Sequence, residues 1–119
     1  MSSVVPYLIR AYCYWIEDSS FTPHILVNSK KAGVFIPKGF ASEGKIVLNI
    51  DSSATEGRVI TNESISFKAR FNGRSEKIIV PCTAVLSIYA RENGEGMFFD
   101  NKTELLDKKN KKPNLTILD

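Results

Sequence analysis

The stretch SISFKARF, residues 64–71, restricts the fold more than any other part of the chain. Ile65, Phe67, Ala69 and Phe71 alternate with Ser66, Lys68 and Arg70, so an extended strand puts the apolar set on one face and the polar set on the other. Asn72-Gly73 follows at once, and this dipeptide accepts the positive φ angles of a two-residue hairpin turn. SEKIIVP then returns as the partner strand, and Pro81 ends it.

Other short β-rich runs supply more strands. HILVN (24–28), KIVLNI (45–50) and GRVIT (57–61) precede the hairpin. CTAVLSIYA (82–90) reads as a helical turn feeding a strand, and MFF (97–99) follows the turn NGEG. Ahead of them all lies one helix, from about Val4 to Asp18. Leu8, Ala11, Tyr12, Trp15 and Ile16 recur there at three- and four-residue spacing. Pro6 suits its first turn, where a missing N–H costs nothing, and DSSFTP stops it. The expected fold is mainly β with one helix (α+β): an N-terminal helix followed by a small two-sheet β-sandwich or partly open barrel. Tyr7, Tyr12, Tyr14 and Trp15 make this helix unusually aromatic. It either covers its own sheet or meets a second copy, because Tyr and Trp join a large apolar body to a polar tip.

Bulk properties narrow the class. At 119 residues the chain has room for one domain, and 43% apolar with 24% charged residues is an ordinary globular mixture. The formal net charge of +3 is spread along the chain except at KKNKK, which favours a solvated surface over a nucleic-acid site. MSSVVPYLIRAYCYW lacks the basic start and long apolar core of a signal peptide, and no run approaches the roughly 20 apolar residues of a membrane span. Cys13 and Cys82 fall on a helix face and a core edge, where buried thiols are expected rather than a disulfide. A soluble cytoplasmic protein is expected.

Catalytic chemistry finds no foothold in the pattern. His24 is the one histidine, with neither a second histidine nor a nearby cysteine in sequence to build a metal or nucleophile site. No carboxylate pair stands out as an acid/base couple, and NGEGM lacks the lysine and following helix of a phosphate loop. A binding module without cofactor or metal is expected, not an enzyme. One candidate surface is the FKARF strand. Ala69 leaves a shallow gap between two phenylalanines where a peptide backbone fits, and Lys68 and Arg70 offer partners for a carboxylate. The plainer alternative makes Ala69 core filler and both cations solvated. The other candidate is the end of the chain, where Leu115, Ile117 and Leu118 follow a lysine-rich polar stretch. They form either a frayed end or an anchor for something else.

Four segments carry a resemblance to a known family: PYLIRAYCYWIEDSSFTPHILVN, GKIVLNI, ISFKARFNG and IIVPCTAVLSIYARENGEGMFF. From about Pro6 to Phe99 the chain resembles stringent starvation protein B (SspB), the bacterial adaptor family of the ClpXP protease. LIRA, TPH, IVLNI, ARF and IYARENG stand in the family's order and spacing. The resemblance implies an N-terminal helix and two small packed sheets, dimerised largely through the helix, with Leu8, Tyr12 and Trp15 at the contact. It implies binding of the ssrA tag that marks products of stalled translation, and delivery of tagged proteins to the ClpX unfoldase. The strand matching FKARF borders the family's tag groove. Ala69 is expected to contact the peptide, with Phe67, Lys68, Arg70 and Phe71 beside it and Leu48 and Ile50 extending the groove. Lys68 stands where many relatives have a neutral Asn, which bears on tag preference.

The same resemblance accounts for the apolar end of the chain. The family ends in a docking peptide for the N-terminal domain of ClpX: a leucine, a basic residue, two aliphatics and a last lysine. Pro113, Leu115, Ile117 and Leu118 keep the apolar part, whereas Thr116 replaces the basic residue and Asp119 the lysine. The implied organisation is a tag-binding and dimerisation domain over 1–99, a lysine-rich linker over 100–112 and a docking peptide over 113–119. Relatives often have a long acidic linker; this one reaches roughly 45 Å at full stretch. Two rival readings stand beside delivery: a small basic β-barrel that binds RNA, and a tag binder whose docking on ClpX is impaired.

Overall fold

The computed structural model describes residues 3–99. One helix, α1 (Val5–Asp18), precedes seven strands: β1 (Pro23–Asn28), β2 (Lys45–Asn49), β3 (Glu56–Ile60), β4 (Ser64–Phe71), β5 (Arg74–Pro81), β6 (Val85–Ala90) and β7 (Gly96–Phe98). They form two antiparallel sheets, one in the order β2-β1-β6-β7 and one in the order β3-β4-β5. Neither closes into a barrel, and the mainly-β, helix-first architecture expected from the pattern is present.

The β4–β5 hairpin forms as the alternation requires. Ile65 and Phe67 lie opposite Val80 and Ile78, and all four are buried. Burying each such side chain stabilises the fold by about 1.5–3 kcal/mol. Asn72 and Gly73 take φ values of 53° and 76°, closing a two-residue loop between the paired Phe71 and Arg74. Strand β6 is entered through a single helical turn at Cys82–Ala84, the turn-then-strand expected there. The long β1–β2 connection runs beside β5, where Phe35 exchanges two backbone hydrogen bonds with Ile79 (2.8 and 2.9 Å).

Helix α1 begins with the Ser3 hydroxyl accepting from the Val5 amide at 3.0 Å and carries proline in its first turn. Ser20, at φ 65°, ends it, with the Phe21 amide reaching the Ile16 carbonyl and the Ser20 amide the Glu17 carbonyl. The buried face is Val5, Pro6, Ile9, Cys13 and Ile16. This corrects the stripe expected from spacing. Leu8 and Tyr12 only flank the core, and Ala11 and Trp15 are exposed. Two apolar stripes run side by side on this helix. Short aliphatic and thiol side chains fit the narrow space against β1 and β6, while the long aromatics with polar tips stay outside. One continuous core results, shared by α1 and the inner faces of both sheets.

Candidate functional site

Strand β4 outruns its neighbour. Its pairing with β3 begins at Ile65 opposite Ile60 and ends at Lys68 opposite Glu56, while its pairing with β5 continues to Phe71. Ala69, Arg70 and Phe71 therefore have no partner residue on the β3 side. Facing them across a cleft of about 520 Å³ is the turn leading into β3: Ser53, Ala54, Thr55 and Glu56 form one wall, and Lys68, Ala69, Arg70 and Ser75 the other. A second depression of about 280 Å³ shares Glu56 and Lys68 and continues along the sheet to Ser66 and Lys77.

The charge pattern of this cleft is unbalanced. Lys68 lies directly opposite Lys77 on one side and Glu56 on the other. Like charges facing across strands cost stability, and Glu56 offsets this on the other side of Lys68. Arg70 swings along the hairpin, its Nη1 donating to the Gly73 carbonyl at 2.9 Å. Ala69 is half-buried and faces Glu76 across β4 and β5. Phe71 is held by Phe40, edge to face at 4.8 Å between ring centres. Ala69 packs against the hydrophobic core and also lines the cleft, so both expected roles meet at this residue, and Lys68 and Arg70 on either side of it are exposed.

Other expected site residues lie elsewhere. Phe67 is buried beneath β4, and Leu48 and Ile50 are 2% and 0% exposed inside the core. All three pack in the hydrophobic core, and Phe67 also borders the smaller depression beside Lys68. Leu8 and Tyr12 are half-buried; Trp15 is half exposed and packs edge to face on Tyr12 at 5.6 Å. Tyr7 and Tyr14 are half exposed as well, so α1 shows an aromatic face to the outside. Leu115, Thr116, Ile117 and Leu118 lie outside the described residues.

Sequence reasoning missed the framework behind the cleft. Gly57, at φ 66°, sits in a bulge where the β3–β4 register shifts between Glu56 and Val59. The bulge lets Glu56 stay at the cleft while Arg58 turns under the sheet to pair with Glu17 of α1 at 2.7 Å. A glycine inside a strand-like run, as in EGRVI, is the local signal for such a kink.

Neither cysteine is arranged for chemistry. Both are free and buried, and burial pushes the Cys13 thiol up to about 12 and the Cys82 thiol up to about 11. His24 packs edge to face on Tyr89, and burial lowers its pKa. Among the described residues no group of three or more His, Cys, Asp or Glu side chains converges to hold a metal. No helix of the described residues is long and apolar enough to cross a membrane.

Comparison with known proteins adds an independent line. The family model described as Stringent starvation protein B matches residues 3–116. The Stringent starvation protein B homolog of Haemophilus influenzae is 45% identical over 108 residues, which span 91% of this chain and 71% of that protein.

Proposed function

From the premise that this chain belongs to the stringent starvation protein B family, we propose that it is a cytoplasmic, non-enzymatic adaptor that binds ssrA-tagged proteins as a homodimer and delivers them to ClpXP. The observation that carries the reading is the run of β4 at Ala69–Phe71 left without a β3 partner, facing an open cleft with Lys68 and Arg70 on one wall. An extended peptide adds naturally to such an edge, with backbone hydrogen bonds supplying affinity and flanking side chains supplying choice. Lys68 and Arg70 favour a peptide with carboxylates near the bound segment. The exposed aromatic face of α1 suits a contact between two copies.

In this reading residues 113–119 dock on ClpX and residues 100–112 tether the cargo. Burying three aliphatic side chains contributes a few kcal/mol at about 25 cal/mol per Å². Two such tails per dimer reinforce one another, provided the linker spans the distance. Thr116 and Asp119 remove two cations from the family's docking pattern, so binding of the tag without productive docking is the second reading.

The direct test is a fluorescence-anisotropy titration of a labelled ssrA peptide with the full chain. Saturable binding that persists at high salt supports the adaptor. No binding of the peptide, with tight salt-sensitive binding of RNA instead, overturns it in favour of a nucleic-acid protein.

A further inference from the structure

One wall of the cleft is a turn, and turns have to be held in place. Residues 50–55 connect β2 to β3, and the bonds inside the turn are local. The Asp51 carboxylate accepts from the Ser53 amide at 2.9 Å, and the Asp51 carbonyl accepts from the Ala54 amide at 2.9 Å. These bonds shape the turn without setting its distance from β4.

Glu17 of α1 reaches the start of this turn. Its Oε2 accepts from the Ser52 amide at 2.7 Å and from Arg58 Nη1 at 2.7 Å. The same Arg58 nitrogen donates to the Ile50 carbonyl at 2.6 Å and lies 3.4 Å from Cys13 Sγ, one helical turn before Glu17. The two ionised side chains are only 13% and 17% exposed, so solvent weakens their attraction little. Both the carbonyl of Ile50 and the amide of Ser52 are thus tied to the helix just before the turn becomes the wall at Ser53. At the far end Glu56 is fixed opposite Lys68. Glu17 is not among the residues that line the cleft.

We propose that Glu17 is a positioning residue for the peptide cleft, acting through Ser52 and Arg58 to hold the 53–56 wall at its working distance from Ala69 and Arg70. The proposal rests on the peptide-binding reading of that cleft. With Glu17 removed, the wall samples wider positions and has to be ordered again whenever a peptide binds, which lowers affinity.

The test uses the full chain in four forms: wild type, Glu17→Ala, Glu17→Gln and Thr22→Ala. Thr22 donates to the Glu92 carboxylate at 2.6 Å and does not line the cleft, so it controls for general loss of a tertiary hydrogen bond. Amide exchange is followed by mass spectrometry and affinity for a labelled ssrA peptide by anisotropy. Glu17→Ala is expected to speed exchange across 52–56 and to weaken peptide binding by about ten-fold, the scale of a lost charged hydrogen bond. Glu17→Gln, which keeps an acceptor for Ser52, falls in between, and Thr22→Ala leaves both readouts unchanged. Unchanged exchange at 52–56 in Glu17→Ala overturns the proposal, as does an equal affinity loss in Thr22→Ala. If wild type binds no peptide, the functional reading falls, and the exchange data alone decide whether Glu17 holds the wall.

Discussion

Glu56 of β3 stands directly across from Lys68 of β4, and the ladder between the two strands stops at that pair. Ala69 is the first residue beyond it. It is half-buried, lines the cleft and has only Glu76 of β5 opposite. A larger side chain there occupies the space where an extended peptide would lie. Ala69→Gln should therefore weaken tag binding by at least about ten-fold, while costing the fold less than about 1.5 kcal/mol. Titration of the labelled tag together with urea unfolding checks both halves.

The Glu17–Arg58 pair behaves differently, because it is largely shielded from water. Arg58→Ala leaves the Glu17 carboxylate without its counter-charge and also removes the donor to the Ile50 carbonyl. Breaking one partner of a buried pair costs about 3–5 kcal/mol, and residual solvent access places this pair near the lower end. Chemical denaturation should show a clear fall in midpoint with little change in slope. A change below about 0.5 kcal/mol would mean that the pair contributes no more than an exposed one.

The two thiols give the fold a defined alkaline limit. Burial pushes Cys13 up to about 12 and Cys82 up to about 11, from an ordinary value of 9.0. Below the ordinary value folded and unfolded chains both keep these protons, and the stabilisation is complete. Above it the unfolded chain loses them first, so stability falls as pH rises from about 9 through the folded values. Melting temperature should be flat from about pH 7 to 8.5 and decline by about pH 10.5. Maleimide labelling of the native protein near neutral pH should be slow at both cysteines and become fast on unfolding.

Parts of this molecule were legible in its sequence for specific reasons. Ile65, Phe67, Ser66 and Lys68 alternate without interruption, and Asn72-Gly73 permits one turn geometry, so the hairpin followed directly. Helix α1 was legible in extent but not in phase. Apolar residues cover both its inner and outer faces, and periodicity alone favoured Leu8, Ala11, Tyr12 and Trp15 over the buried Val5, Ile9 and Cys13. The cleft was half legible. Ala69 and its flanking cations stand on one strand, whereas the opposite wall depends on Glu17, Ser52 and Arg58, brought together over separations of 35 and 41 residues. Leu48 and Ile50 belong to the core for a related reason: β2 and the residue just after it turn them toward the same interior that Phe67 fills.

The outer aromatic face of α1 carries a prediction about assembly. Tyr7, Tyr14 and Trp15 are each about half exposed, at 51%, 50% and 50%. Trp15→Glu puts a charge in that patch without disturbing the buried face. Where the patch joins two copies, the substitution should raise the dimer dissociation constant by about a hundred-fold or more, as at interface hot spots. Sedimentation equilibrium measures this, and an unchanged assembly state would remove the helix from the contact.

Delivery is tested by degradation of an ssrA-tagged fluorescent reporter by the cognate ClpXP. The reporter is kept at low concentration and the rate is compared with no adaptor, with the full chain and with a chain ending at Lys112. If Leu115, Ile117 and Leu118 dock the adaptor on ClpX, only the full chain speeds degradation. Equal rates in all three reactions, with both chains still binding the tag, would contradict delivery and leave a tag-binding domain without a working tether.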